Sequence, residues 1–191
     1  MHVAVATLGL LLGQATATDA LKERDVEIRK ALPPADHQLT GPEKAKLEAL
    51  LTRAVDMSAM AKDALGKRWE KISEADRKRY VRAFSDRFKR ASEGEIDFYR
   101  NTEISYGAET PGGLAEGDVQ VPTTLTLKGE PTPVVYTVRK EGNAYKIVDL
   151  TIDGASTVEN YRSSFGRVFD KDGINGLIAK LQKEQPKPVG K

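Results

Sequence analysis

The apolar positions of the chain recur with a helical period at both ends and with a strand period in the middle. In the first hundred residues, apolar side chains three and four apart predict helices. A polar helix is expected over 19–32, and a second helix follows Thr40 as its cap. A short third helix begins after Asp56 and ends at Gly66, and a long fourth helix covers about 73–99.

Between residues 102 and 152 the period changes to two, which predicts strands. We expect four of them, at Thr102–Tyr106, 118–127, 134–139 and 145–152. Their short connections favour an antiparallel meander. Two helices with apolar stripes follow the last strand. The layout predicts an α+β fold, in which a four-stranded antiparallel sheet packs against a helical layer.

The first residues resemble an export signal. Residues 3–13 form an uncharged apolar run that is too short to span a membrane, and Ala15, Thr16 and Ala17 follow as a small-x-small cleavage signature. The pattern predicts a signal peptide over 1–17, a single domain over 18–184 and a disordered tail over 185–191. A buried N-terminal helix is the alternative. Since no cysteine follows the cleavage position, we expect an unanchored protein of a bacterial periplasm.

Composition removes several classes of function. The 191 residues are enough for one domain with a substantial core. The chain has no cysteine and two histidines, which excludes disulfides and thiolate metal sites and disfavours histidine-based ones. We therefore expect no metal, no cofactor and no catalytic residues. The formal net charge of +2 is too small to imply a nucleic-acid partner.

The outer face of the predicted fourth helix is strongly basic. It carries Arg77, Lys78, Arg79, Arg82, Arg87, Lys89 and Arg90. Acidic residues interrupt these cations and the aromatic residues lie on the opposite face, so nucleic acid is disfavoured. A solvated face and a surface for an acidic partner or anionic headgroups are the remaining interpretations.

Two aspartates are the best candidates for enzyme chemistry. Asp149 and Asp153 lie four residues apart at the last strand and its exit, so they project to the same side. One buried carboxylate with a raised pKa could act as a base. However, Asp149 alternates with apolar residues as in any half-exposed strand, and Asp153 precedes a glycine as in many turns. A small cavity enzyme stays the minor alternative.

Two blocks of sequence resemble the MlaC family, the toluene-tolerance periplasmic lipid-binding proteins. The first block has the pattern D-x-x-x-M-A, then L-G-x-x-W, then a serine that opens a long helix with an A-F pair. Its matching residues are Asp56, Met60, Ala61, Leu65, Gly66, Trp69, Ser73, Ala83 and Phe84. The second block covers residues 145–181. Its matching residues are Asp149, Gly154, Ser156, Asn160, Tyr161, Arg162, Phe165, Gly173, Gly176, Leu177 and Ile178.

The resemblance implies a hydrophobic cavity between the sheet and the helices, with a phospholipid's tails inside it. It implies a non-enzymatic carrier, a monomer, that shuttles lipid between an outer-membrane lipoprotein complex and an inner-membrane ABC transporter complex. Such carriers serve outer-membrane lipid asymmetry. The residues expected to bind lipid are apolar or aromatic. They are Met60, Leu65, Trp69, Tyr80, Phe84, Phe88, Tyr136, Ile147, Leu150, Tyr161, Phe165 and Ile178.

The chain departs from the family pattern in two places. The family's usual Glu-Gly-Val-Ser is Asp153, Gly154, Ala155 and Ser156 here, and the segment 102–127 matches only loosely. These departures leave the cargo open, with a hopanoid or another hydrophobic compound as the alternative to a phospholipid.

Overall fold

The computed structural model describes residues 16–34, 37, 39–92 and 100–183, and five α-helices lie in these segments. They are α1 (Ala17–Ala31), α2 (Gly41–Arg53), α3 (Met57–Leu65), α4 (Glu74–Ser92) and α5 (Thr157–Lys183). A 3-10 helix over Gly66–Lys71 joins α3 to α4. The two C-terminal helices predicted from sequence form the two arms of α5, which bends at Gly173, where φ is 66°. The predicted end of the fourth helix and the tail lie outside the described residues.

The strands form a single antiparallel sheet in the described part of the chain. They are β1 (Thr102–Tyr106), β2 (Thr110–Pro111), β3 (Val119–Leu127), β4 (Glu130–Glu141), β5 (Ala144–Ile152) and β6 (Ala155–Ser156). Their order is β1-β3-β4-β5-β6, and β2 pairs with β3 beyond the end of β1. The predicted α+β fold is confirmed in its four long strands, and two strands of two residues each extend the sheet.

Strand β4 begins four residues before its predicted start, in spite of two prolines. Pro131 and Pro133 pair with Thr126 and Thr124 of β3. On its other side, β4 pairs with β5 only from Val134 onward in the described residues. Pro131 and Pro133 therefore lie where β4 is an edge strand. The N–H group that proline lacks removes no hydrogen bond from the sheet there.

The largest apolar core lies between α3, α4 and α5. It includes Met60, Leu65, Tyr80, Phe84 and Phe165, all of which are buried. The Tyr80 hydroxyl donates to the Ala61 carbonyl at 3.1 Å, which gives this buried phenol a partner. The Phe165 ring meets the Tyr80 and Phe84 rings edge to face, with centroids 6.4 and 6.2 Å apart. Helices α3, α4 and α5 thus form a well-packed three-helix unit.

Helix α1 covers the sheet outside that unit, and α2 packs on α1. Leu21 of α1 packs with Val121, Val138 and Ile147 of the strands, and Ile28 of α1 meets Leu47 of α2. Ala17, which is fully buried, begins α1 under a capping box made by Thr16 and Asp19. The cleavage predicted after Ala17 would therefore remove this cap, and the signal peptide stays a prediction.

The junction between α2 and α3 is attached to the sheet through its backbone. Val55 forms a parallel bridge with Ile147 of β5. The Asp56 N–H donates to the Ile147 carbonyl at 2.9 Å, and the Ile147 N–H donates to the Ala54 carbonyl at 2.9 Å. The Asp56 carboxylate also accepts from the Ala59 N–H and caps α3. The α1–α2 pair therefore meets the three-helix unit at a fixed point on β5.

A buried ion pair fixes the loop before β3. The Asp118 side chain is fully buried and accepts two hydrogen bonds from Arg139 of β4, at 2.7 and 3.0 Å. It also accepts from the Leu114 and Ala115 N–H groups, and Arg139 reaches Asp63 of α3 at 3.3 Å. Burial alone would raise the pKa of Asp118, but the hydrogen bonds from Arg139 and the loop backbone lower it below its ordinary value.

This ion pair predicts how stability depends on pH. Because the pKa of Asp118 is lower in the folded state, its contribution is complete above the unfolded value of about 3.9 and is lost as the pH falls through the folded value. We expect Asp118→Asn to cost about 3 kcal/mol near neutral pH, since Arg139 loses its buried partner. The difference in unfolding free energy between the protein and Asp118→Asn should become smaller below about pH 3. Urea unfolding followed by circular dichroism measures it.

The matched control is Glu116→Gln, an exposed position in the same loop, which should be neutral at both pH values. Equal unfolding free energies for the protein and Asp118→Asn at neutral pH would contradict the ion pair.

Candidate functional site

A cavity of about 240 Å³ lies between one face of the sheet and the helices. The sheet supplies apolar and aromatic side chains from four strands. They are Ile104, Tyr106, Leu125, Val134, Tyr136, Ile147, Leu150 and Ile152. The helices supply the opposite walls, with residues from α1, α2, the α2–α3 junction, α4 and α5. They are Leu21, Arg24, Asp25, Ile28, Leu51, Ala54, Val55, Phe88, Ala91, Thr157 and Tyr161.

A bulge in β5 shapes the sheet side of the cavity. Val138 pairs with Ile147 while Thr137 pairs with Asp149, so Val148 is an extra residue in the ladder. Side chains normally alternate between the two faces of a strand. The extra residue lets Ile147 and Leu150, three positions apart, both face the cavity.

The structure divides the twelve residues predicted to bind lipid into two groups. Phe88, Tyr136, Ile147, Leu150 and Tyr161 line the cavity together. The other seven lie in the core between α3, α4 and α5 or pack against it. They are Met60, Leu65, Trp69, Tyr80, Phe84, Phe165 and Ile178. A helical stripe marks a buried face, but it does not say whether that face meets other helices or a cavity.

Tyr161 lies at the boundary between the core and the cavity. Its ring stacks on Phe165 with centroids 5.0 Å apart and meets Phe84 edge to face at 5.5 Å. The Arg87 guanidinium lies 5.2 Å from the ring centroid and donates to the Tyr161 hydroxyl at 2.8 Å. These contacts fix the aromatic wall at this side of the cavity.

The part of the cavity wall that α1 supplies was not predicted from the sequence. Leu21 and Ile28 are seven residues apart on a helix that was interpreted only as polar. That spacing places both side chains on one face, and it is the signal that could have identified them. Ile104 and Leu125, which pair across β1 and β3, were likewise not singled out.

Two of the polar groups in the cavity wall are the phenols of Tyr106 and Tyr136. Burial, and after it the nearby Asp25 charge, raises the pKa of Tyr136 to about 12. The pKa of Tyr106 is also raised, mainly by burial. Both phenols are therefore neutral at physiological pH. Among the described residues, no cluster of three or more histidine, aspartate or glutamate side chains could hold a metal ion.

Asp149 has a structural role that its sequence position did not reveal. Its buried carboxylate accepts from the Val158 N–H at 3.0 Å and from the Ser156 hydroxyl at 2.5 Å. The Ser156 oxygen in turn accepts from the Glu159 N–H at 3.1 Å. Asp149 and Ser156 thus cap the start of α5. Asp153 is an exposed turn residue with φ of 48°. Neither carboxylate lines the cavity.

Many cations of the basic α4 face have partners within the protein. Arg77 donates to the Trp69 carbonyl and pairs with Glu70, Arg79 pairs with Asp76, and Lys78 pairs with Glu74. Arg90 donates to the Leu181 carbonyl at 2.7 Å. This face is therefore less free to bind a partner than the sequence alone indicated.

A second depression, of about 470 Å³, lies along the outer side of α5 and has charged walls. There Arg68 donates to Asp170 at 2.8 and 2.6 Å. Its walls include Arg162 and Arg167, so it is unsuited to an apolar guest. Of the helices in the described ranges, none is both long and apolar enough to cross a membrane.

The fold and its cavity define an α+β protein with an apolar chamber between an antiparallel sheet and a helical layer. The sequence pattern of the family described as MlaC protein matches residues 33–183, and the chain belongs to that family. The resemblance noted in the sequence is confirmed.

A solved structure supports the fold. The phospholipid-binding protein from Ralstonia solanacearum, in complex with a phospholipid, superposes with a TM-score of 0.69 at 22% sequence identity. The similarity covers 89% of this chain and 94% of that chain. A search of curated proteins gives no match.

The two aspartates offer a test of the capping role. We expect Asp149→Asn to lower the free energy of unfolding by about 1–3 kcal/mol, because charge-assisted bonds to Ser156 and Val158 are lost. Asp153→Asn is the matched control and should change it by less than about 0.5 kcal/mol. Thermal unfolding by circular dichroism compares the two variants. An Asp149→Asn variant as stable as its control would contradict the cap.

Proposed function

We propose that the protein is a periplasmic phospholipid carrier that holds the lipid tails in the cavity between the sheet and the helices. The observation that carries this proposal is an apolar cavity, walled by four strands and four helices, in a chain of the MlaC family. The phospholipid in the Ralstonia solanacearum protein of the same fold supports a phospholipid as the cargo.

The free energy of hydration explains why such a carrier needs an apolar chamber. Two acyl chains of about fifteen carbons each contain roughly thirty methylenes, and exposing them to water costs on the order of 20 kcal/mol. A carrier must therefore cover both tails, and it needs few polar groups where they lie. Leu125, Ile104 and Leu150 provide such a surface on the sheet side.

The two groups of predicted lipid-binding residues then have different proposed roles. Phe88, Tyr136, Ile147, Leu150 and Tyr161 contact the tails directly, since they line the cavity. The seven residues of the three-helix unit hold α4 and α5 in place behind that wall. Asp149 and Asp153 take part in no reaction, and the protein acts as a carrier and not as an enzyme.

The family and the N-terminal sequence support a wider setting for the carrier. We propose export by a signal peptide over 1–17, and a monomer that moves between an outer-membrane lipoprotein complex and an inner-membrane ABC transporter complex. The cavity supports this role because a carrier must shield its cargo between two membranes. Membership of the MlaC family supports the periplasm as its location.

The direct test of carriage is native mass spectrometry of protein purified without detergent. We expect a bound mass equal to that of a phospholipid, or uptake of one after incubation with phospholipid vesicles. A bound mass equal to that of a hopanoid would show another hydrophobic cargo. An unliganded mass under all conditions would overturn the proposal.

A substitution that fills the cavity tests its location. Ala91 of α4 lines the cavity, and Ala75 of the same helix is exposed. We expect Ala91→Trp to reduce bound lipid at least about tenfold, because the indole occupies space that the tails need and overpacking costs about 1–3 kcal/mol. Ala75→Trp should retain lipid like the unmodified protein. Bound lipid per protein is measured by native mass spectrometry, with circular dichroism as the folding check.

Equal lipid content in the two tryptophan variants, both folded, would contradict the cavity as the binding site.

A further inference from the structure

The charged part of the cavity wall lies on one turn of α1. Among the described residues that line the cavity, Arg24 and Asp25 are the two that carry a formal charge. Their side chains are 25% and 18% exposed, so they lie between the apolar chamber and the solvent. A phosphate ester cannot enter apolar surroundings without partners, so a headgroup is best satisfied next to these two residues.

Asp25 is held in place by two further groups. Its carboxylate accepts from Arg29 Nε at 2.9 and 3.1 Å, and Arg29 Nη2 donates to the Thr102 carbonyl of β1 at 2.8 Å. This chain of bonds fixes the Asp25 carboxylate between α1 and the sheet. The influence of its charge on the pKa of Tyr106 and Tyr136 is consistent with a place beside the cavity's phenols.

Arg24 is held more weakly and can exchange its partner. Its Nη1 lies 3.5 Å from Glu27 Oε2, and the Glu27 side chain is 48% exposed. Glu27 has a shorter contact with Arg53, at 2.7 Å. An exposed ion pair of this length contributes little to stability. Glu27 still pairs with Arg53 when the Arg24 side chain moves to another partner. A phosphate offers the guanidinium a bidentate, charge-assisted partner instead.

We propose that Arg24 and Asp25 form a headgroup subsite that favours a zwitterionic aminophospholipid, with Arg24 on the phosphate and Asp25 facing the ammonium group. This inference rests on the proposed phospholipid carriage. Arg24 offers a cation to the phosphate, and the Asp25 carboxylate, which Arg29 holds in place, offers an acceptor to the ammonium group. An anionic headgroup without an ammonium group places its phosphate beside the Asp25 carboxylate and offers that carboxylate nothing in return.

The test is competitive loading from vesicles that contain equal amounts of phosphatidylethanolamine and phosphatidylglycerol with identical acyl chains. Native mass spectrometry gives the ratio of the two lipids on the protein. We expect about a threefold to fivefold preference for phosphatidylethanolamine, the size that one partly exposed charge pair supports. Asp25→Asn should bring the ratio to about one or below, and Asp25→Glu should restore the preference.

Arg24→Gln is the second variant, since it breaks no contact on which the fold depends. We expect it to lower the retention of both lipids about threefold on dilution. Lys30→Gln, an exposed position of α1 outside the cavity wall, is the matched control and should change neither ratio nor retention. Circular dichroism establishes that each variant is folded.

The outcomes separate the two proposals. Bound lipid with the same ratio in the unmodified protein and in Asp25→Asn would overturn the subsite and leave carriage intact. No bound lipid in any protein would overturn carriage and the subsite together. Excess inorganic phosphate should leave the preference unchanged. A bound phosphate mass that replaces the lipid preference would show that the site takes a free anion, and it would overturn the headgroup assignment.

Discussion

Residues 147–150 of β5 are the part of the sheet to which both the α1–α2 pair and the unit of α3, α4 and α5 are attached. The backbone of Ile147 bonds to Ala54 and Asp56, which fixes the junction between α2 and α3. Two residues later, the Asp149 carboxylate caps α5. Between them, the extra residue Val148 brings Ile147 and Leu150 to the same face. One short segment therefore attaches α2 and α3 on one side and α5 on the other, and it also shapes the cavity between them.

This arrangement separates a well-packed core from the cavity. The unit of α3, α4 and α5 is filled by its own side chains, with Tyr80, Phe84 and Phe165 in contact around its centre. The α1–α2 pair meets the sheet through a smaller apolar cluster and through bonds such as that from Arg29 to Thr102. The cavity lies between these parts. The α1 wall therefore borders the cavity outside the larger core.

The sequence was sufficient for the main helices and the four long strands, but not for the two short strands or the wall of the cavity. Apolar period and capping residues placed α3 after Asp56 and the strand at Thr102–Tyr106, since these are local properties. The same periodicity could not separate Phe84, which packs on other helices, from Phe88 one turn later, which faces the cavity. Nor could it show the bulge at Val148 or the capping role of Asp149, because both depend on contacts between distant segments. The resemblance to the MlaC family predicted a cavity, and in the structure α1 forms part of the wall of that cavity.

A phospholipid with a photoreactive group in its acyl chain can show where the protein holds the lipid tails. After loading and illumination, mass spectrometry of the digested protein identifies the residues that carry the label. We expect labels on the cavity wall, at residues such as Leu150, Ile104 and Phe88. Labels confined to the outer side of α5, around Arg68 and Arg167, would contradict it.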